Sequence, residues 1–352
     1  MNKISKITIA IIITFFIAFI SFTSCSYRTF KDMVKYVFNS IEKKDSISFD
    51  KIETVFFNRL KGSNKIIDLN GLIAKKIHQK GYYANKGIFV SKSGFLLSNT
   101  SYTTTDYEVD QMEKFNNYCK NNKINLLYVN CPRAYLDDKI FEDEFGIESF
   151  ANRNADLFLK RIDSLGIASI DLREKIKAEK INIKDFFYKT DHHWNVKAGF
   201  WASQKIVGAL NEKFNYNINE EIYNPASYKI TEYKNTWLGE QGKKLSVVYS
   251  GLDDFYCIEP IFETNFSVYN KKNYKEEYVN FDVFIDKNRF NHIKDFYSAP
   301  SWHYSYMPFS SITKLHIHNN KDVVKNNILL LCDSYAYVVI PFLSLGIQDI
   351  TS

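Results

Sequence analysis

The spacing of hydrophobic residues changes several times along the chain, and each change predicts an element. From Ile7 to Tyr27 an uncharged run rich in Ile, Phe and Ala follows Lys3 and Lys6. As a helix rising about 1.5 Å per residue it would reach about 30 Å, enough to span a bilayer. Between 28 and about 62, Phe49, Ile52, Phe56 and Leu60 recur at helical spacing and Gly62 follows as a stop, which predicts a stalk or packing helix within 28–84. Gly87–Ser91 and Gly94–Leu97 flank Lys92-Ser93 and predict a β-hairpin. From Tyr107 a helix–strand rhythm begins. A polar helix (Tyr107–Asn121) leads to the strand Ile124–Val129, which ends at Cys131-Pro132. A helix over Ala151–Leu165 leads to the strand Ala168–Asp171, and a third helix runs from Val196 to Phe214. Residues 215–325 break the rhythm with β-like runs at Leu245–Tyr249 and Tyr278–Phe284, which reads as a β-containing insertion. Asn327–Cys332 is then the strongest strand, a continuous apolar run expected to be covered on both faces. Alternating helices and strands of this kind predict an α/β layered domain over 85–352 with a largely parallel sheet.

Composition narrows the function classes. A chain that is 45% hydrophobic and 24% charged is globular rather than disordered. The net charge of +6 comes from 46 basic residues set against 40 acidic ones, with no long basic cluster, so no nucleic-acid partner is expected. Aromatics make up 16% of the residues, which suits either a core or a sugar-binding surface, as does the local cluster Trp302, His303, Tyr304 and Tyr306. The five cysteines match no zinc spacing; with Cys25 set aside for the lipid reading below, the other four could form up to two disulfides outside the cytosol, and buried free thiols are the expectation. The apolar run at 1–27 has three readings: an uncleaved signal anchor, a lipoprotein signal with Cys25 lipidated after Thr23-Ser24, or a cleaved signal. All three export the remaining chain to the cell exterior or periplasm, and the first two tether it to a membrane.

Two segments carry chemistry. Thr190-Asp191-His192-His193-Trp194 immediately precedes a helix, and Cys332-Asp333-Ser334-Tyr335 immediately follows the strongest strand. Sites in open α/β sheets form beyond the carboxyl ends of strands, so Ser334 stands where a nucleophile is displayed. A serine hydroxyl needs a base, and the base needs an orienting partner. Asp191 and His193, two residues apart in an extended segment, would share a face and supply both, leaving His192 turned away. Arg133, Trp194 and Tyr335 are further candidates for substrate or oxyanion contact, Trp194 also as a packing anchor. His192 and His193 could hold a metal with Asp191, but no third His or Cys lies at convincing ligand spacing nearby, so no metal site or cofactor is expected. His316 and His318 alternate on a strand expected at an exposed edge.

Asp191-His192-His193-Trp194, the Ala-Gly helix start that follows, and the later Asp333-Ser334-Tyr335 turn resemble the bacterial DHHW family, a branch of SGNH-hydrolase-like proteins related to the alginate O-acetylation proteins. The resemblance includes Gly239-Glu-Gln-Gly-Lys-Lys-Leu245 and Gly251-Leu-Asp-Asp-Phe255. It implies a three-layer α/β/α domain outside the cytosol and transfer of an acyl (acetyl) group to hydroxyls of a cell-surface or exported polysaccharide. Asp191, His193 and Ser334 then match the triad, and a membrane acyl-transferase partner supplies the donor. An esterase or deacetylase with the same triad, or a non-catalytic polysaccharide-binding component of an export complex, are the alternatives. Cys332 stands where many such proteins have Gly. One more strand and helix are expected after the serine turn, so the C-terminus reads as truncated at Ser352.

Overall fold

The computed structural model describes residues 35, 63–77, 81–82, 87–269, 275–278, 280–287, 295–297 and 315–352. The apolar run at 7–27 with Cys25, the helix expected before Gly62 (apart from Lys35, which is helical) and the Trp302–Tyr306 cluster lie outside them. Among the described residues no helix is long and apolar enough to cross a membrane. The chain divides into two units, Met1–Ile73 and Ala74–Ser352. Helix α1 (Ser63–Lys76) supplies most of the described part of the first.

The second unit is mixed α/β. A three-stranded antiparallel sheet of β1 (Gly81–Tyr82), β2 (Ile88–Val90) and β3 (Leu96–Ser98) contains the expected hairpin, closed where the Gly94 N–H donates to the Ser91 carbonyl at 2.8 Å. Then come α2 (Asp106–Asn121), β4 (Leu127–Asn130), α3 (Lys139–Phe145), α4 (Ala151–Ser164) and β5 (Ala168–Asp171), with β4 and β5 parallel from Leu127↔Ala168 to Asn130↔Asp171. Asp171 caps α5 (Leu172–Ala178) through the Arg173 N–H. Helix α6 (Val196–Phe214) is capped by Asn195, which accepts from the Lys197 and Ala198 N–H groups. Its bounds are those expected.

Beyond α6, β6 (Tyr228–Trp237) pairs antiparallel with β7 (Asp253–Pro260), with α7 (Glu240–Leu245) and α8 (Val247–Ser250) between them. Leu245–Tyr249 is therefore not a strand. Leu245 ends one helix, Ser246 turns the chain at φ 105°, and a helical turn follows. Phe281–Phe284, expected as strand, is a 3-10 turn capped by Asn280. The last sheet runs in the order β11 (Val324–Leu329), β12 (Ile347–Thr351), β10 (His316–Asn319), β8 (Phe266–Tyr269), β9 (Lys275–Tyr278), with helix α9 (Ile340–Gly346) feeding β12.

Two expectations are corrected in this sheet. Among the described strands it is mostly antiparallel, and β11–β12 is its one parallel pair. β11 lies at the end of the strand order, and Leu329 and Leu331 are exposed, so the apolar run is not covered on both faces. Hydrophobicity alone measured what the strand could bury, not what lies over it. His316 and His318 sit on β10, flanked by β12 and β8 rather than at an edge, and both hydrogen-bond Asp349 Oδ1 at 2.8 Å. The main core gathers Trp194, Phe200, Tyr228, Phe266, Phe284 and all the apolar residues of α9, so α6, β6 and the serine turn share one packed interior.

Candidate active site

The segment before α6 folds back on itself rather than running extended. Phe187 bridges Trp194 in an antiparallel contact, and the Asn195 N–H donates to the Phe186 carbonyl at 2.8 Å. The turn enclosed between them displays Asp191 and His193, both buried. Asp191 Oδ1 accepts from the His193 N–H at 3.0 Å and from the His193 ring at Nδ1, 2.6 Å away. Its Oδ2 accepts from the Glu240 N–H at the start of α7, at 2.8 Å. Burial pushes the Asp191 carboxyl pKa up, but the hydrogen bonds and charge of His193 outweigh it and hold the group below the usual carboxylate value. A charged Asp191 takes the proton-bearing Nδ1, which leaves Nε2 as an acceptor.

The candidate serine comes from the other end of the domain. Asp333 caps a 3-10 turn over Ser334–Val338 by accepting from the Tyr335 N–H at 2.9 Å. This lifts Ser334 off the end of β11 and places its Oγ 2.7 Å from His193 Nε2. Two contacts hold the turn against the histidine segment. The Trp194 indole N–H donates to the Tyr335 carbonyl at 2.9 Å, and the Tyr335 hydroxyl donates to the His192 carbonyl at 2.6 Å. The structure thus brings together Ser334, His193 and Asp191, residues 141 positions apart, in one hydrogen-bonded line.

Several expected roles change. His192 does not turn away. In the tight turn adjacent side chains no longer alternate, and the His192 ring lies on that of His193 with centroids 3.8 Å apart. Its Nδ1 is 3.5 Å from Asp191 Oδ1. Burial holds the His192 pKa below the usual imidazole value; Asp191 opposes this, while His193, Lys244 and Arg133 reinforce it. Trp194 has no exposed surface, so it anchors the serine turn and offers no platform to a sugar. Arg133 and Tyr335 do line a cavity of about 530 Å³ that contains Ser334, together with His192, Gln241 and Lys244. Cys131 also lines it, and loss of solvent pushes its thiol up to about 12, with Asp333 and Cys332 adding to the effect. The thiol stays protonated and is no nucleophile there. Cys119, Cys131, Cys257 and Cys332 are all free.

Asp191, His192 and His193 also meet a metal-ligand spacing, with one ligand atom of each within 4.8 Å of the others. The Asp191 side chain is wholly buried and its Oδ1 already takes two His193 donors, so an ion would have to displace the proton at Nδ1. What the candidate residues alone could not reveal is the role of Gly239–Gly242 and Asp253. Both lie in the motifs quoted above: Gly239 and Glu240 donate to Thr190 and Asp191, and Asp253 accepts from Thr190.

Residues 121–233 match the family model described as the SGNH hydrolase-like domain of acetyltransferase AlgX, a span that includes Asp191 and His193 but ends before Ser334. Over those residues the chain is SGNH-hydrolase-like. Among solved structures, Bacillus cereus PatB1 superposes with a TM-score of 0.60 at 20% identity, covering 76% of this chain and 87% of that one. PatB1 with a sulfonyl adduct gives 0.58 at 20% identity, covering 75% and 83%. A DHHW family protein from Eubacterium siraeum gives 0.57 at 15% identity, covering 77% and 83%. No curated protein sequence matches the chain. At these identities the likeness to solved structures speaks to a shared fold alone.

Proposed function

We propose that this protein transfers an acyl group, acetyl in the first instance, to hydroxyls of a cell-surface or exported polysaccharide through Ser334, His193 and Asp191. The observation that carries the reading is the continuous line Asp191 Oδ1, His193 Nδ1, His193 Nε2, Ser334 Oγ, with steps of 2.6 and 2.7 Å. Those separations are the reach a general base needs. His193 Nε2 takes the Ser334 proton as Oγ attacks the acyl carbonyl, Asp191 stabilises the imidazolium, and the proton passes to the departing group. The acceptor hydroxyl then loses its proton to the same nitrogen as its oxygen attacks the Ser334 ester, which frees Oγ. Arg133 in the cavity wall is the proposed anion or oxyanion contact. The match to an acetyltransferase domain and the resemblance to alginate O-acetylation proteins support acetyl as the group and a polysaccharide as the acceptor. The run Ile7–Tyr27 supports a membrane tether with the domain outside the cytosol, and a donor passed on by a membrane acyl-transferase.

Incubation with 4-nitrophenyl acetate, or with a sulfonyl fluoride, is expected to modify Ser334, as read by peptide mass spectrometry. Ser334→Ala abolishes the adduct, and His193→Ala slows its formation by about 10²-fold or more. Asp191→Asn slows it as well, by spoiling the tautomer. An adduct that forms equally fast in His193→Ala would overturn the assignment.

A further inference from the structure

Asp191 is held at both oxygens, and the second of these contacts traces back to a buried threonine that the reaction itself does not use. We propose that Thr190, with Asp253 behind it, is a positioning residue that fixes the direction of Asp191 and so of the His193 imidazole. The inference rests on the reading of Ser334, His193 and Asp191 given above. Asp253, the first residue of β7, accepts from the Lys189 and Thr190 N–H groups, each at 2.8 Å. The Thr190 hydroxyl donates to Asp253 Oδ2 at 2.5 Å. With its hydrogen committed there, Thr190 Oγ1 turns a lone pair to the Gly239 N–H at 2.7 Å. The Thr190 carbonyl accepts from the Gly242 N–H at 2.9 Å. One residue therefore clamps both ends of Gly239–Gly242, and between them the Glu240 N–H is aimed at Asp191 Oδ2.

The two glycines show how closely these segments meet. A Cβ at Gly239 would lie 2.4 Å from the Thr190 carbonyl oxygen and 2.6 Å from Asp191 Cβ, and one at Gly242 would lie 2.8 Å from Thr190 Cβ. A carboxylate with His193 on one oxygen and Glu240 on the other cannot turn about its Cβ–Cγ bond. Loss of the Thr190 hydroxyl strands the Gly239 N–H in a buried place and lets the Glu240 N–H swing away from Oδ2. The carboxylate is then free to rotate, and with it the imidazole.

The test compares Thr190→Val, which keeps the shape and loses the hydroxyl, with Thr190→Ser, which keeps the hydroxyl. At saturating 4-nitrophenyl acetate, Thr190→Val is expected to acylate Ser334 at least about 10-fold more slowly with little change in KM, and Thr190→Ser to restore the rate, because small misplacements of a base cost orders of magnitude. The far-downfield proton resonance of the His193–Asp191 hydrogen bond should be lost in Thr190→Val and retained in Thr190→Ser. If Thr190→Val does not fold, Asp253→Asn is read in the same way. A folded variant without the hydroxyl contact that keeps both the rate and the resonance overturns the proposal. If the wild-type Ser334 is never acylated, the catalytic reading fails, whereas the resonance still reports whether Thr190 controls Asp191.

Discussion

Asp191 is subject to opposing influences. Removal from water disfavours its charge, while donors from His193 and Glu240 favour it, and the donors prevail. It therefore stays anionic throughout the range in which a serine acyl-transfer site would work. His192 lies beside it but is exposed. Partial loss of water, with the cations Lys244 and Arg133, holds its pKa below the usual imidazole value, and its ring lies tilted against the His193 ring and lines the cavity. His192→Ala removes the plate against which His193 is held but not the base, so acylation of Ser334 should slow by about 10-fold at most, well short of the loss in His193→Ala. Rates for the two alanine variants, measured side by side with one activated ester, check the order. Equal losses would point instead to a shared ligand such as a metal ion.

Between elements, the critical approach is that of α6 to the serine turn. Gly199 lies on the face of α6 against Val338, where a Cβ would come within 2.5 Å of the Val338 carbonyl oxygen. Gly199→Ala should cost about 1–3 kcal/mol through overpacking and should move Ser334 off His193. A lower denaturation midpoint together with slower acylation is the expected pair of results. Legibility in the sequence followed the same lines. Helix α6 and strand β5 could be read to the residue because apolar periodicity, the Asn195 cap and the Asp171 cap all agree. Asp191, His193 and Ser334 could be singled out because their residue types are demanding, and the structure sets them within hydrogen-bond distance of one another. Leu245–Tyr249 could not, because β-branched residues look like strand until the Ser246 turn and its cap on Tyr249 are known. Helix α1 falls within the helical segment expected over 28–84, with Ile66, Leu69 and Ile73 at helical spacing beyond the stop read at Gly62. The part played by Asp253 and Gly239 depends on contacts across some fifty to sixty positions, which no local pattern carries.

At the scale of the whole molecule, acid stability should depend on buried carboxylates. Burial pushes Asp171 up, but hydrogen bonds from Arg173 and Asn130 and the Arg173 charge hold its pKa below the usual carboxylate value. A folded-state pKa below the unfolded one contributes stability that is complete above the unfolded value, about 3.9, and is lost as pH falls through the folded one. Asp253, pushed up by burial, works in the opposite sense, so the comparison is best made between variants. Asp171→Asn should lower the melting temperature at pH 7, and the gap from wild type should close as pH falls below about 4. A gap that is constant with pH would assign the loss to geometry instead of charge. The distance in sequence between His193 and Ser334 also has a consequence in time. Ser334 is translated 141 positions after His193, which at ribosomal speeds is a delay on the order of ten seconds. Through that interval His193 has no Ser334 to meet, and Glu240 and Asp253, whose contacts fix Thr190 and Asp191, also follow it in the chain, so the hydrogen-bonded line can close only after the chain as far as Ser334 has been made.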